Sequence, residues 1–141
     1  MLFYIQNLYV FLIEFSPSFI RKFEDDIIAS SEMEDPLSVW IKYISWVRSS
    51  FPSDTTKTML ILERCTEAFK SNEKYLNDIR YVKIWIEYAD MIPTPGEIFA
   101  FMQSNKIGEK VSLFWVAWAF VCEKHQNFPL TEKIYLKGIQ K

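Results

Sequence analysis

An all-α fold, a short row of stacked helix pairs with an extra amino-terminal helix, follows from three features of the sequence. From residue 35 onward, apolar residues recur at the three- and four-residue spacing of helices. Proline, glycine and capping residues break that pattern at regular intervals. No stretch alternates apolar and polar residues between turn dipeptides, as strands and hairpins require. The length of 141 residues fits one domain.

The elements follow in order. Residues 1–15, MLFYIQNLYVFLIEF, are strongly apolar but shorter than the ~18–20 residues that cross a bilayer, and they include Gln6, Asn7 and Glu14. A basic start and a small-residue cleavage site, which mark a signal peptide, are missing. The segment reads as a helix packed on the domain, or as residues wrongly included in the protein, ahead of a membrane anchor. Asp35-Pro36 then opens a helix, with the carboxylate as N-cap and proline in the first turn. Leu37, Trp40, Ile41, Ile44 and Val47 form its stripe, Tyr43 and Trp46 widen it, and Pro52 ends it. Ser53 or Asp54 caps a second helix carrying Met59, Leu62, Cys65 and Phe69 on one side.

A third helix spans about Ile79 to Met91, with Val82, Trp85, Ile86 and Ala89 inward. Pro93-Thr94-Pro95 separates it from a fourth through Ile98, Phe99 and Met102, and Gly108 is expected to stop that one. A fifth covers about Ser112 to Lys124, and Pro129 opens a sixth through Ile134, Tyr135 and Ile139.

The helices pair. Trp40-x-x-Tyr43, Trp85-x-x-Tyr88-Ala89 and Trp115-x-x-Trp118-Ala119 mark the first helix of each pair. Trp85 recurs as Trp118, and Ala89 as Ala119, at intervals in the low thirties. Such a period, alternating large and small residues, is that of tetratricopeptide repeats. The last pair fits best: Trp115, Trp118, Ala119 and Cys122 in its first helix, Phe128, Tyr135 and Gly138 in its second, with Thr131 where the pattern has alanine. The first pair is expected to need a longer connection between its helices, and the middle pair a shorter one. One such pair cannot bury its own apolar face, so three share a core. The 12 Phe, 7 Tyr and 5 Trp are then core filling.

Composition and motifs exclude most chemistry. Sixteen Lys+Arg against 18 Asp+Glu leave a charge of −2, without the basic cluster that phosphate contacts need, so nucleic acid is not an expected partner. Two cysteines, Cys65 and Cys122, and one histidine, His125, match no zinc spacing, and the thiols read as small buried hydrophobes in a reducing compartment. Phosphate-binding loops, kinase signatures and a nucleophile elbow do not occur in the sequence. His125 reads as a group at a helix carboxyl end. Glu24-Asp25-Asp26 and Glu32-Met33-Glu34-Asp35 read as solvated helix starts, and Lys42 and Arg48 as solvated or stacked on rings. No cofactor, metal or catalytic residue is expected, and a membrane partner is not expected.

The strings EDPLSVWIKYISWVRSSFPS (34–53), LERCTEAF (62–69), YLNDIRYVKIWIEYAD (75–90), IFAFMQSNKIG (98–108) and LFWVAWAFVCEKHQNF…EKIYLKGI (113–139) resemble the amino-terminal homology domain of the Bub/Mad spindle-assembly-checkpoint family. The resemblance covers about residues 23–141 and leaves 1–22 as an apolar, helical amino-terminal segment. It implies a non-catalytic, tetratricopeptide-like docking module for a short helical motif of a kinetochore scaffold of the Knl/blinkin type, with other checkpoint proteins as further partners. By position it implies Tyr88, Ile92 and Tyr135 as partner-binding residues, each of which could equally serve repeat packing. It also implies location in the nucleus and at kinetochores in mitosis, with the cytoplasm in interphase. Relatives that inhibit the anaphase-promoting complex carry K-E-N just before this region; here no K-E-N occurs, so that inhibition is not implied. The alternative is a half-repeat scaffold subunit of an RNA-processing complex, which also uses W-x-x-Y pairs.

Trp85→Ala should destabilise the protein by about 3–5 kcal/mol as a core truncation. A thermal melt identical to that of the parent would show that Trp85 is not core.

Overall fold

The computed structural model describes residues 17–124 and 128–140. Among them are seven helices and no strand: α1 (Pro17–Ser30), α2 (Pro36–Ser50), α3 (Thr55–Phe69), α4 (Ile79–Asp90), α5 (Pro95–Ser104), α6 (Ser112–Lys124) and α7 (Phe128–Gln140). The all-α reading therefore holds. The boundary expected at residues 22 and 23 falls inside α1. The expectations for residues 1–15 and for His125 lie outside the described residues.

Proline and short polar side chains set the helix starts. Pro36 and Pro95 stand in the first turns of α2 and α5, where a missing N–H costs no helical bond. Asp54 caps α3 by accepting from the Thr56 N–H at 3.2 Å. Asp78 caps α4 by accepting from the Arg80 N–H at 2.9 Å. Asp35 departs from expectation. Its side chain makes no cap bond, and its carbonyl oxygen accepts from the Ser38 N–H and hydroxyl instead. The expected difference in connection length is also corrected. The α2–α3 and α4–α5 connections, 51–54 and 91–94, are equally long. The extra length of the first pair lies in its 15-residue helices and in the following segment, 70–78.

The chain divides into two compact units, residues 1–65 and 66–141, the division falling within α3. In the first unit α1 packs along α2. Phe23 stacks on Tyr43 at 5.0 Å and 4°, and Trp46 lies 5.5 Å from Phe23 and 6.0 Å from Phe19. A buried ion pair ties α1 to α3. Arg64 donates from Nη1 to Glu24 Oε1 at 2.6 Å and from Nη2 to Oε2 at 2.9 Å, a two-pronged geometry that matches the flat guanidinium to the carboxylate. The Tyr43 hydroxyl donates to Glu24 Oε1 at 3.1 Å, and the Arg64 guanidinium lies 5.4 Å from the Trp40 ring centre. Burial, and then the charge of Glu24, push the Tyr43 hydroxyl far above the ordinary tyrosine range. Glu24 is thus no solvated acid of a helix start: it sits mid-helix and nearly inaccessible, while Asp25 and Asp26 beside it are exposed.

In the second unit α4 packs on α5, α5 and α4 on α6, and α6 on α7, so two hairpins stack. The helix starts give the repeat: Ile79 of α4 is followed by Ser112 of α6, and Pro95 of α5 by Phe128 of α7, at one and the same interval. Burial keeps that register. Tyr81, Val82, Trp85 and Ala89 are buried on α4, and so are their counterparts one repeat later on α6, Phe114, Trp115, Trp118 and Cys122. The counterpart of Ala89 is therefore Cys122, not Ala119, and both thiols are the small core groups expected.

Rings fill the layers between helices. Phe99 lies 6.1 Å from Phe114 and 6.3 Å from Trp118, and Phe114 lies 4.8 Å from Trp115. Gly138 lets α7 reach α6: a Cβ there would stand 2.8 Å from the Trp115 Cβ, a distance real side chains do not tolerate. Gly108 has φ +80, the left-handed conformation expected of it, but it does not stop α5, which ends at Ser104. Its N–H donates to the Leu76 carbonyl at 2.7 Å, pinning one inter-pair connection to the other, while Val82 and Phe114 crowd its α-carbon.

Arg64→Met should cost about 3–5 kcal/mol in urea unfolding, because it strands the Glu24 carboxylate in a buried site. Glu24→Gln/Arg64→Met should recover at least half of that loss. A single variant as stable as the parent would mean that the pair is solvated.

Candidate functional site

The second unit offers partly exposed apolar surfaces. Among the described residues no three His, Cys, Asp or Glu side chains converge as a metal site, and no helix is long and apolar enough to cross a membrane. Cys65 and Cys122 are buried, and burial raises both thiols above the ordinary range, which disfavours the reactive thiolate. Among the described residues, an open depression is lined by Ser18, Arg21, Lys22, Asp25 and Asp26 of α1.

The resemblance points to α4, and α4 has two non-core faces. Capping fixes where it begins: the Asp78 carboxylate holds both the Arg80 N–H and its guanidinium, at 3.0 Å from Nε and 2.7 Å from Nη2. From that start, Tyr81, Val82, Ile84, Trp85 and Ala89 turn into the core. Tyr88 follows Trp85 at the edge of this stripe, half-buried, with its ring 6.4 Å from the indole. Ile92, also half-buried, lies one turn beyond Tyr88, where its N–H donates to the Ala89 carbonyl.

A fourth side chain completes this edge, and sequence reasoning missed it. Phe101 on α5 stacks over Trp85 at 5.4 Å and 29°, yet remains 39% exposed. The signal was present in the run Phe99-Ala100-Phe101: two residues apart on a helix point to different sides, so with Phe99 buried Phe101 must turn outward. Beneath it, Trp85 Nε1 is buried and finds no acceptor among the described residues. Tyr88 and Phe101 thus flank Trp85 as an apolar ledge on one packed hairpin, and Ile92 follows just beyond the end of α4.

Tyr135 stands apart. It lies on α7, 42% exposed, one repeat period beyond Met102, which is fully buried. Tyr88 lies in the last turn of α4, Ile92 just beyond its end, and Tyr135 on α7. Ile86, expected in the core stripe, is half-exposed and lines a groove on the other side of α4.

Stacked helix hairpins in regular repeat, ring-filled cores and partly exposed apolar ledges define a tetratricopeptide-like protein-interaction domain. The chain belongs to the Mad3/BUB1 family: the model for Mad3/BUB1 homology region 1 matches residues 19–139. It is similar to the mitotic spindle checkpoint component mad3 of Schizosaccharomyces pombe, 39% identical over 118 residues, covering 82% of this chain and 38% of that protein. It is 32% identical over 118 residues to the mitotic spindle checkpoint protein BUBR1 of Arabidopsis thaliana, covering 82% of this chain and 30% of that one. Among solved structures, the crystal structure of a mitotic checkpoint complex contains a chain with TM-score 0.81 and 36% identity, over 85% of this chain and 57% of that one. The conserved N-terminal domain of the checkpoint component BUB1 gives TM-score 0.77 and 26% identity, over 84% and 67%. The chain spans well under half the length of these curated relatives. The matched region is the checkpoint homology region and not a kinase domain. Family membership sets aside the RNA-processing scaffold.

Proposed function

We propose that this chain is the docking module of a mitotic spindle-assembly-checkpoint protein and takes up a short helical motif of a kinetochore scaffold of the Knl/blinkin type. It works without catalysis of its own, in the nucleus and at kinetochores in mitosis, with a cytoplasmic pool in interphase. The observation that supports this reading is the ledge of Tyr88 and Phe101 against Trp85, with Ile92 just beyond the end of α4.

A helix that lays its apolar side chains, at i, i+3 or i+4 and i+7, on such a ledge removes partly wetted rings from water, and the rigid hairpin beneath them keeps the ordering cost small. Tyr88, Ile92 and Phe101 are the anchors. Tyr135 extends the contact only for a partner that continues towards α7. Affinity should rest on these few apolar groups and not on charge, since the chain is nearly neutral. One solved neighbour is a checkpoint complex, which supports other checkpoint proteins as further partners.

Calorimetry with the full chain and a synthetic peptide of the scaffold's helical motif tests this. Ile92→Asp should weaken binding by about tenfold or more and leave the melting temperature unchanged, since Ile92 lies at a helix end and not in the core. Unchanged affinity would remove Ile92 from the site, and no binding by the parent chain would overturn the scaffold reading.

A further inference from the structure

The connection from α4 to α5 carries a polar group that neither the core nor the ledge uses. The sequence there is Ile92-Pro93-Thr94-Pro95-Gly96-Glu97, with Thr94 between two prolines. Thr94-Pro95 is one of two steps in the sequence where proline directly follows a serine or threonine; the other, Ser16-Pro17, begins outside the described residues.

The local structure leaves the Thr94 hydroxyl accessible. Thr94 is exposed, and so are Pro93, Gly96 and Glu97. Its φ of −121 and ψ of 66 lie outside the helical region, as a following proline favours. Pro93 and Pro95 have no N–H to commit to the fold. Thr94 stands at the N-cap position of α5, yet its side chain makes no cap bond. The hydroxyl donates instead to Glu97 Oε2 at 3.2 Å, on the exposed surface and longer than the usual O–H···O bond. A Cβ added at Gly96 would meet nothing within 4 Å, so no neighbour packs over this start of α5.

An exposed threonine hydroxyl on non-helical backbone is a phosphoacceptor for a kinase. The bond from the γ-phosphorus of ATP to its bridging oxygen breaks, a new P–O bond forms to Thr94 Oγ1, the hydroxyl proton passes to the kinase's catalytic carboxylate, and ADP leaves. The proline after the acceptor offers no N–H, so the enzyme must be one whose cleft accepts proline there. We propose that Thr94 is a phosphorylation site for a proline-directed serine/threonine kinase and that its phosphate closes the ledge to the partner helix; the second half rests on the docking reading of the ledge.

The position of Thr94 gives the consequence. Phosphothreonine carries about two negative charges at neutral pH. Two residues of chain span at most about 7 Å, so the new charge enters within about one Debye length, ~8 Å in 0.15 M salt, of the Ile92 backbone. A partner helix that covers Ile92 must then strip water from a dianion, or leave Ile92 uncovered and lose that contact.

The full chain is treated with ATP and, separately, with a cyclin-dependent kinase and a mitogen-activated protein kinase, both proline-directed classes, and the product is mapped by mass spectrometry. The folded parent should take phosphate at Thr94, and Pro95→Ala, which keeps the hydroxyl, should not. Calorimetry should then show the phosphorylated parent binding the scaffold's helical-motif peptide about tenfold more weakly than the untreated parent. Kinase-treated Thr94→Ala should bind as the untreated parent does. Absence of phosphate at Thr94 with both kinases would overturn the proposal. Equal weakening in kinase-treated Thr94→Ala would overturn it too, by moving the effect to another site such as Ser16. Phosphate at Thr94 with unchanged or tighter binding would sink the switch alone, whereas an untreated chain that does not bind the peptide would sink the docking reading and the switch with it.

Discussion

A helix hairpin cannot bury its own apolar face, and the structure depends on how rings and small residues meet that constraint. At Gly138 the backbone of α7 comes so close to Trp115 that no Cβ fits. Ala89 and Cys122 are the matching small groups on α4 and α6, one repeat apart and both buried. Close packing of this kind gains dispersion from many atom pairs, and it sets helix spacing more sharply than unspecific apolar contact would. With the spacing set, the layers fill with Phe99, Phe114, Trp115 and Trp118 in mutual ring contact.

That packing leaves function to the surfaces. A repeat buries one face of each helix and exposes the others, so binding capacity depends on which side chains stand where the core ends. On α4 the core stripe ends in Tyr88 on one side and in Ile86, Glu87 and Asp90 on the other. The first edge is aromatic and continues through Phe101; the second is acidic and faces the open side chains of α6. One short helix therefore presents two chemically different edges.

The first unit is held by a different device. Glu24, Tyr43, Arg64 and Trp40 come from three helices and meet out of water. A buried pair of this sort adds little net stability over apolar packing, because desolvation offsets most of the attraction, but it penalises every arrangement that leaves one charge alone. It therefore fixes how α1 and α3 register against α2. Within a run of three acids only Glu24 takes part, since helical rotation by about 100° per residue turns Asp25 and Asp26 to solvent.

Sequence alone determined the helical class, six of the seven helices to within a few residues, the repeat period and the family. Those depend on local rules: the spacing of apolar residues, proline in first turns, and the string of motif residues along the chain. The ion pair between Glu24 and Arg64 was hidden from it, as were the stacking of Phe101 on Trp85 and the groove walled by Ile86 and Phe120. Each of these joins residues that are distant in the chain, and which side chains meet is decided by how one helix rotates against its neighbour. That rotation is set by the fit of rings into small-residue gaps, a property of the packed structure that no single helix carries in its own pattern.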